Sequence, residues 1–398
     1  MNSQIWGLGG QVLGWNGMPL KSPVDVFMIT GGTNLIPRYT YDLGANWIPV
    51  DTTTGSYGAP IVAAYGITGQ YKHPWSYDGI HMFFTSYNTA QTKSRIWWSN
   101  DGGHTMSFTD LTDLASQNAR QFGTWVQDTS KALITGWTNV AKINYSTNYF
   151  SSILESSTGQ PNGNYPLILT SSKNGQYIYG GAGNSGGVIC SSSYGVDFTL
   201  KVLNTGGSPN IHTNSPVCDD NGECAIIFGN STFGMYMTAD YGANWSQIDS
   251  SVPIGTMFFD GTMIMYGTRA PSGTNYFHFT TNKGINWTVI ALPSGVTTGA
   301  TPVIDNKNKT VYLYEANVSS PNNKLWKLND AKNGWDAVGT FTNKIYTVGV
   351  SELGRGIGVI DYSSNIWFSP SPANSGSWMN IGTSTDVVST SLRFINVI

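Results

Sequence analysis

Apolar and polar positions along this chain fall into short runs that recur in a fixed order. Between residues 255 and 290, two nearly continuous apolar runs (255–259 and 263–266) read as strands covered on both faces. Residues 276–279, Tyr276-Phe277-His278-Phe279, form a third run, a polar turn follows, and 287–290 opens a short fourth. Each run is bounded by Gly, Asn, Asp and Ser, the residues that stop strands and make turns. The same order of strand, turn, strand, loop, strand, turn and short strand returns along the whole chain.

The third turn carries the sharpest pattern. Thr40-Tyr41-Asp42-Leu43-Gly44-Ala45-Asn46-Trp47 and Thr238-Ala239-Asp240-Tyr241-Gly242-Ala243-Asn244-Trp245 share the form S/T-x-D-x-G-x-x-W. Thr280-Thr281-Asn282-Lys283-Gly284-Ile285-Asn286-Trp287 has Asn282 at the acid position. The copy from Ser99 keeps Asp101 and ends in Met106, and the copy from Ser191 keeps Gly195 and ends in Phe198. Three weaker copies run from Ser146 to Ile153, from Asp330 to Trp335 and from Ser369 to Trp378. The closing apolar residues stand at 47, 106, 153, 198, 245, 287, 335 and 378, so the steps are 59, 47, 45, 47, 42, 48 and 43. Four strands per roughly 40–50 residues is the signature of a propeller.

Local chemistry explains the pattern. The Ser/Thr and Asp side chains bond turn N–H groups, Gly tolerates a positive φ, and the Trp returns to the core between neighbouring sheets. These copies resemble the Asp-box, or BNR, repeat of sialidase-like β-propellers, and the resemblance spans nearly the whole chain. It implies that Asp42, Asp101, Asp240, Asn282, Trp47, Trp245 and Trp287 stabilise hairpins on the face away from the one where family enzymes bind sugars. The expectation is therefore an all-β, single-domain chain, 1–398, folded as a propeller of about eight four-stranded blades (seven is the alternative). The N-terminus is expected to supply strands near 11–14, 24–30 and 37–41. The apolar tail 391–398 is expected to join that first blade and close the ring, since an open β edge invites aggregation.

Composition narrows the function. The net charge is −3 and charged residues are only 11% of the chain, against roughly 25% in an ordinary domain. With no basic surplus, a nucleic-acid partner is excluded. A helical bundle would need Glu, Lys, Ala and Leu that are scarce here. With 13% aromatics, 14 of them Trp, the chain has ample material for a core, which excludes a disordered one. No run approaches the ~18 apolar residues of a membrane-spanning helix. The N-terminal residues have neither the basic nor the apolar region of a secretory signal. With a surface rich in Thr, Asn, Ser and Tyr, this points to a virion or cell-exterior protein assembled inside a cell, with a cytoplasmic location as the alternative. Cys218 and Cys224 bracket a turn and read either as a short-loop disulfide or as two reduced thiols on adjacent strands. Cys190 reads as buried. The cysteines and the five histidines show no metal-ligand or triad spacing, and no phosphate-binding glycine loop appears. No cofactor is expected.

The sialidase-like resemblance implies a catalytic set of three arginines, a Tyr–Glu pair and an Asp. Arg38, Arg120 and Arg269 reach the sugar-side face in the strand order, as do Glu155 and Glu315, with Tyr314 beside the latter. Tyr314 and Glu315 are neighbours in a strand and so point to opposite sides. The family's Arg-Ile-Pro signature is absent, Ile36-Pro37-Arg38 having the wrong order, so no catalytic residue is assigned. An insertion at 66–79 adds Tyr71, Trp75 and Tyr77 beside polar groups, suited to sugar stacking or a protein contact. These three, with Arg120, Arg269 and Glu315, are the candidate binding residues. The sequence points to a non-enzymatic structural or attachment propeller. Its partners would be proteins of a larger assembly, such as a capsid or surface lattice, or a glycan receptor. The alternatives are a sialidase-like glycosidase and an intracellular assembly factor.

Overall fold

The computed structural model describes residues 5–6, 12–13, 24–30, 38–40, 48–49, 82–87, 94–100, 107–111, 120–125, 132–137, 143–148, 152–155, 169–181, 187–203, 216–228, 234–249, 253–269, 275–296, 300–305, 308–315, 323–350, 356–370, 377–383 and 391–397. All regular elements among them are β-strands, in eight antiparallel sheets and one small ribbon. The first sheet runs Ser391–Val397, Val24–Thr30, Arg38–Thr40, Ile48–Pro49, and the second runs Met82–Tyr87, Ser94–Ser99, Ser107–Leu111. The third holds Arg120–Trp125, Ala132–Trp137, Ile143–Ser146 and Leu154–Glu155. The fourth holds Leu169–Ser171, Ile178–Gly181, Gly187–Ser191 and Thr199–Val202. The fifth holds Val217–Cys218, Ala225–Phe228, Met235–Thr238 and Ser246–Asp249. Next come Pro253–Phe259, Ile264–Arg269, Asn275–Thr280 and Thr288–Ala291 in the sixth, then Ala300–Asp305, Thr310–Glu315, Lys324–Leu328 and Trp335–Thr340 in the seventh. Ile345–Val350, Ile357–Asp361, Asn365–Ser369 and Met379–Thr383 make the eighth.

From the third sheet onward each sheet takes its strands in chain order. The first strands of the fourth to eighth sheets neighbour one another in succession, and that of the eighth neighbours Ser391–Val397. Burial follows this arrangement. The second strands Ile178–Gly181 and Thr310–Glu315 are buried throughout, whereas the fourth strand Thr199–Val202 is mostly exposed. Consecutive sheets pack face to face with apolar clusters between them. Cys224, Ile226 and Met237 of the fifth meet Phe259, Ile264 and Tyr266 of the sixth. Tyr312, Tyr314 and Leu325 of the seventh meet Ile345, Val348 and Ile357 of the eighth.

One strand expectation is corrected. Val12–Leu13 pairs with Ile5–Trp6 in a separate ribbon and does not enter the first sheet. Its place beside Val24–Thr30 is taken by Ser391–Val397, paired over seven residues from Val24↔Val397 to Thr30↔Ser391. A seven-residue partner satisfies more backbone groups than a two-residue one.

The repeated turns have the geometry their side chains dictate. Thr238 Oγ1 donates to Asp240 Oδ1 (2.8 Å) and accepts from the Gly242 N–H (3.0 Å). Asp240 in turn accepts from the Asn244 N–H at 2.8 Å and its amide at 2.7 Å. These bonds hold the Asp240 carboxyl below the usual carboxylate range. Thr280 and Asn282 repeat the arrangement onto Gly284 (3.3 Å) and Asn286 (3.0 Å). In the fourth sheet Ser193 takes the acid position and accepts from the Asp197 N–H (3.2 Å). The weak copy at Ser146 keeps the design, with Asn148 accepting from the Ser152 N–H at 2.9 Å. Gly242 and Gly284 sit at φ 84° and 83°, where a side chain is strained. One position earlier, Tyr241 and Lys283 are also left-handed, at 59° and 57°. Their N–H groups are tied to Glu223 O and Thr262 O of the first hairpin in the same sheet.

The seventh turn departs from the sequence reading. Asn329, not Asp330, accepts from the Asn333 N–H (3.0 Å), while Asp330 is fully exposed and pairs with Lys327 at 3.7 Å. Asn329 is the residue that leaves the strand Lys324–Leu328, so its amide alone is in reach of the turn N–H. Asp42, Trp47 and Asp101 lie outside the described residues.

The closing aromatics wedge between sheets as expected. Trp245 packs edge-on against Tyr179 of the preceding sheet at 6.0 Å. Trp287 joins the cluster between the fifth and sixth sheets. The Trp335 indole N–H donates to Ala291 O (3.0 Å) and that of Trp378 to Val338 O (2.7 Å), each in the sheet before. His278 is structural, stacked on Tyr266 at 5.1 Å, and burial holds its pKa below 6.5 against the opposing pull of Asp249.

Thr280→Val keeps the shape of a buried side chain but leaves the N–H groups of Asn282 and Gly284 without their acceptor. It should cost about 1–3 kcal/mol in urea unfolding, while the conservative Thr280→Ser should cost less. His278 is neutral in the folded state and charges more readily when unfolded. Its contribution is therefore present above pH 6.5 and lost as pH falls through its lower folded value. The urea midpoint should drop between pH 7 and 5, and His278→Gln should flatten that drop.

Candidate functional site

The alternation of strand direction gives the sheets two different ends. One carries the first hairpins and the Ser/Thr–Asp turns. Its hairpins tie one sheet to the next: Lys173 N–H donates to Asp220 O (2.8 Å), the Tyr179 hydroxyl to Gly222 O, and Lys309 Nζ pairs with Asp260 at 2.7 Å. The other end carries the loops between second and third strands. It is the end the resemblance marks for ligands, and it collects most of the sequence candidates. Arg269 and Glu315 are each the last residue of a second strand, in adjacent sheets, and Arg120 is the first residue of a first strand. Glu315 is buried, 1% exposed. Tyr71, Trp75 and Tyr77 lie outside the described residues.

The most organised cluster at this end is one that the candidate list missed. It lies where the seventh sheet meets the eighth. Asp361 ends a second strand, is 1% exposed, and is saturated with donors. It accepts from the N–H groups of Ser363 and Asn365 (both 2.9 Å), the amides of Asn365 (2.8 Å) and Asn343 (3.1 Å), and the Trp367 indole (3.4 Å). Tyr362 follows it directly, with its N–H fixed on Lys344 O (2.9 Å). Its ring, 38% exposed, stands edge-on to Tyr346 at 5.1 Å and 90°.

Below this pair the Tyr314 side chain is buried, its hydroxyl bonded to Thr347 and Thr301. Burial, reinforced by Tyr362 and Tyr346, pushes its pKa up to about 12 despite those bonds. The phenol therefore stays neutral and serves as a hydrogen-bonding group. The surface this makes is aromatic, rich in hydroxyl and amide groups and rigidly mounted. Such a surface suits stacking and hydrogen bonding to a polar, uncharged ligand. The sequence signal for this site is Asp361-Tyr362-Ser363-Ser364-Asn365, an Asx-type turn that lies outside the repeated pattern.

The cysteines are all free thiols. Cys218 pairs with Ala225 across the hairpin, one residue out of register with Cys224. The two thiols therefore leave opposite faces of the sheet, Cys224 toward the sixth sheet and Cys218 toward Thr170 of the fourth. The short-loop disulfide reading is excluded by that geometry. Among the described residues no group of three His, Cys, Asp or Glu is placed to hold a metal ion, and no helix is long and apolar enough to cross a membrane.

No family model matches the chain, and no curated protein matches it in sequence. Solved structures do match. Dihydro-heme d1 dehydrogenase NirN, in complex with DHE, aligns with a TM-score of 0.61 at 10% identity over 97% of this chain and 79% of that one. Apo AztD from Citrobacter koseri aligns at 0.55 and 10% identity over 94% and 98%. An ancestral GH74 enzyme aligns at 0.51 and 14% over 78% of this chain and 46% of that one.

The fold is a β-propeller. At these identities the likeness carries the architecture and nothing of the chemistry.

Asp361→Ala leaves five part-buried donors without their acceptor and should cost about 1–3 kcal/mol in urea unfolding. Tyr314 keeps its proton when folded but loses it near pH 10 when unfolded, so its contribution should be full below pH 10 and fall as pH rises to about 12. Tyr314→Phe should lessen that alkaline loss of stability.

Proposed function

We propose that this chain is a closed eight-bladed propeller of Asp-box type that works as a non-enzymatic attachment or structural protein, on a virion or cell surface. Its contacts with a glycan or a protein partner would be made through the end bearing Tyr346 and Tyr362. The observation that carries this reading is the use made of the carboxylates. Asp240, Asp260, Asp305 and Asp361 each accept N–H groups from their own turn. Carboxylates committed in this way hold loops in shape and are poorly placed to move protons. Closure is supported by the pairing of Ser391–Val397 with Val24–Thr30. The repeat of the turn chemistry from sheet to sheet supports the Asp-box assignment.

The rival reading, a sialidase-like glycosidase, draws on Arg269 and Glu315 holding the same position in adjacent sheets. A fluorogenic sialoside separates the two. The attachment reading expects no turnover above a buffer control. Hydrolysis that disappears in Arg269→Ala would establish the glycosidase. On a glycan array, binding should weaken at least several-fold in Tyr362→Ala, and unchanged binding would remove the tyrosine end from the proposal. Co-sedimentation with intact particles supports the exterior role, whereas recovery only from the soluble cell fraction points to an assembly factor. Deleting 391–398 strips Val24–Thr30 of its partner strand. Light scattering should then show aggregates or swapped oligomers; a stable monomer would count against the closed ring.

A further inference from the structure

At the junction of the fifth and sixth sheets a lysine head rests on a cysteine. Lys283 Nζ lies 3.4 Å from Cys224 Sγ, joining residues 59 apart in sequence. Cys224 is 1% exposed, within the apolar cluster of Ile226, Met257, Tyr266 and Trp287. Both partners are held from behind. The Cys224 N–H donates to Asp219 Oδ1 (3.2 Å) and its carbonyl accepts from the Asp219 N–H (3.0 Å). The Lys283 N–H is fixed on Thr262 O (3.0 Å) in the left-handed corner of its turn. Burial raises the thiol above its ordinary range, Asp219 and Glu223 add to that, and Lys283 pulls it back. A buried thiol and an amine held in contact by two rigid turns form a preorganised reactive pair.

We propose that Cys224 and Lys283 are a redox modification site, at which dioxygen links them through a single oxygen atom and so staples the fifth sheet to the sixth. The thiol S–H bond and one amine N–H bond break, and S–O and O–N bonds form. One atom of dioxygen remains as the bridge and the other leaves as water with the two hydrogens. Sulfur and nitrogen are each oxidised by two electrons, and dioxygen takes up all four. The bridge needs a far smaller approach of the two heads than a direct S–N bond would. Cys190 and Cys218, which take no part in this contact, should stay on the ordinary path of thiol oxidation. The linkage would act as a disulfide does, by closing a long loop of the unfolded chain. This inference is independent of the function proposed above.

The test uses the full chain, held either aerated or anaerobic with reductant, then digested and read by tandem mass spectrometry. Aerated protein should yield a branched peptide joining Cys224 to an uncleaved Lys283, heavier than the sum of its parts by one oxygen less two hydrogens. Reductant should reverse it. The thermal midpoint of aerated protein should exceed that of reduced protein, and this gap should vanish in Lys283→Arg and Cys224→Ser but persist in Cys190→Ser. Recovery of Cys224 and Lys283 on separate peptides from aerated wild-type protein overturns the proposal, whatever the variants do.

Discussion

The structure depends on one arrangement of hydrogen bonds, described for the third, fifth and sixth sheets: a hydroxyl and a carboxylate or amide oxygen, two residues apart, gathering the N–H groups of the turn that ends the third strand. Thr238 with Asp240 and Thr280 with Asn282 are the fullest examples. The turn must be tight, because a closing aromatic has to leave the fourth strand and reach the neighbouring sheet. It must also be rigid, because that aromatic supplies contacts between sheets that share no backbone ladder. Where the acid is replaced, as by Ser193 or Asn148, an oxygen still stands at the same place and the N–H four residues on still finds it. The requirement is for an acceptor in that position, and charge is secondary.

This division of labour shapes the rest of the molecule. Backbone ladders complete each sheet, but successive sheets share no ladder and are joined mainly by side chains, with a backbone tie from the Lys173 N–H to Asp220 O between the fourth and fifth. The joints are apolar clusters, indole N–H bonds from Trp335 and Trp378, and polar ties such as Lys309 to Asp260. The turn-bearing end is thus occupied by its own scaffolding. The opposite end carries the loops between second and third strands. Asp361 shows how that end is made rigid when rigidity is needed: a buried carboxylate with five donors mounts Tyr362 beside Tyr346. A low overall charge fits such a design, since acids are spent on turns and the outer surface relies on hydroxyl and amide groups.

Much of this was legible in the sequence because it is local. A turn closed by side chains within a few residues of one another leaves a spaced pattern, and six intervals of 42–48 residues after a first of 59 expose the repeat. The weak copy at Ser146 was legible for the same reason. The seventh copy misled because two candidate residues, Asn329 and Asp330, lie side by side and only strand register tells which of them faces the turn. The tyrosine site was harder to see. Tyr314, Tyr346 and Tyr362 come from two sheets and share no motif.

Taken alone, the sequence determined that the chain is all-β, that its units are four-stranded, and that its acids serve turns, because strand alternation and turn chemistry act over neighbouring residues. Tertiary structure decided what depends on distant residues meeting. Ser391–Val397, not Val12–Leu13, lies against Val24–Thr30, since the longer ladder satisfies more backbone groups. Cys218 and Cys224 face away from each other, because a one-residue offset in a hairpin reverses the side of the sheet. Cys224 meets Lys283 across two sheets, a contact that no spacing in the chain encodes.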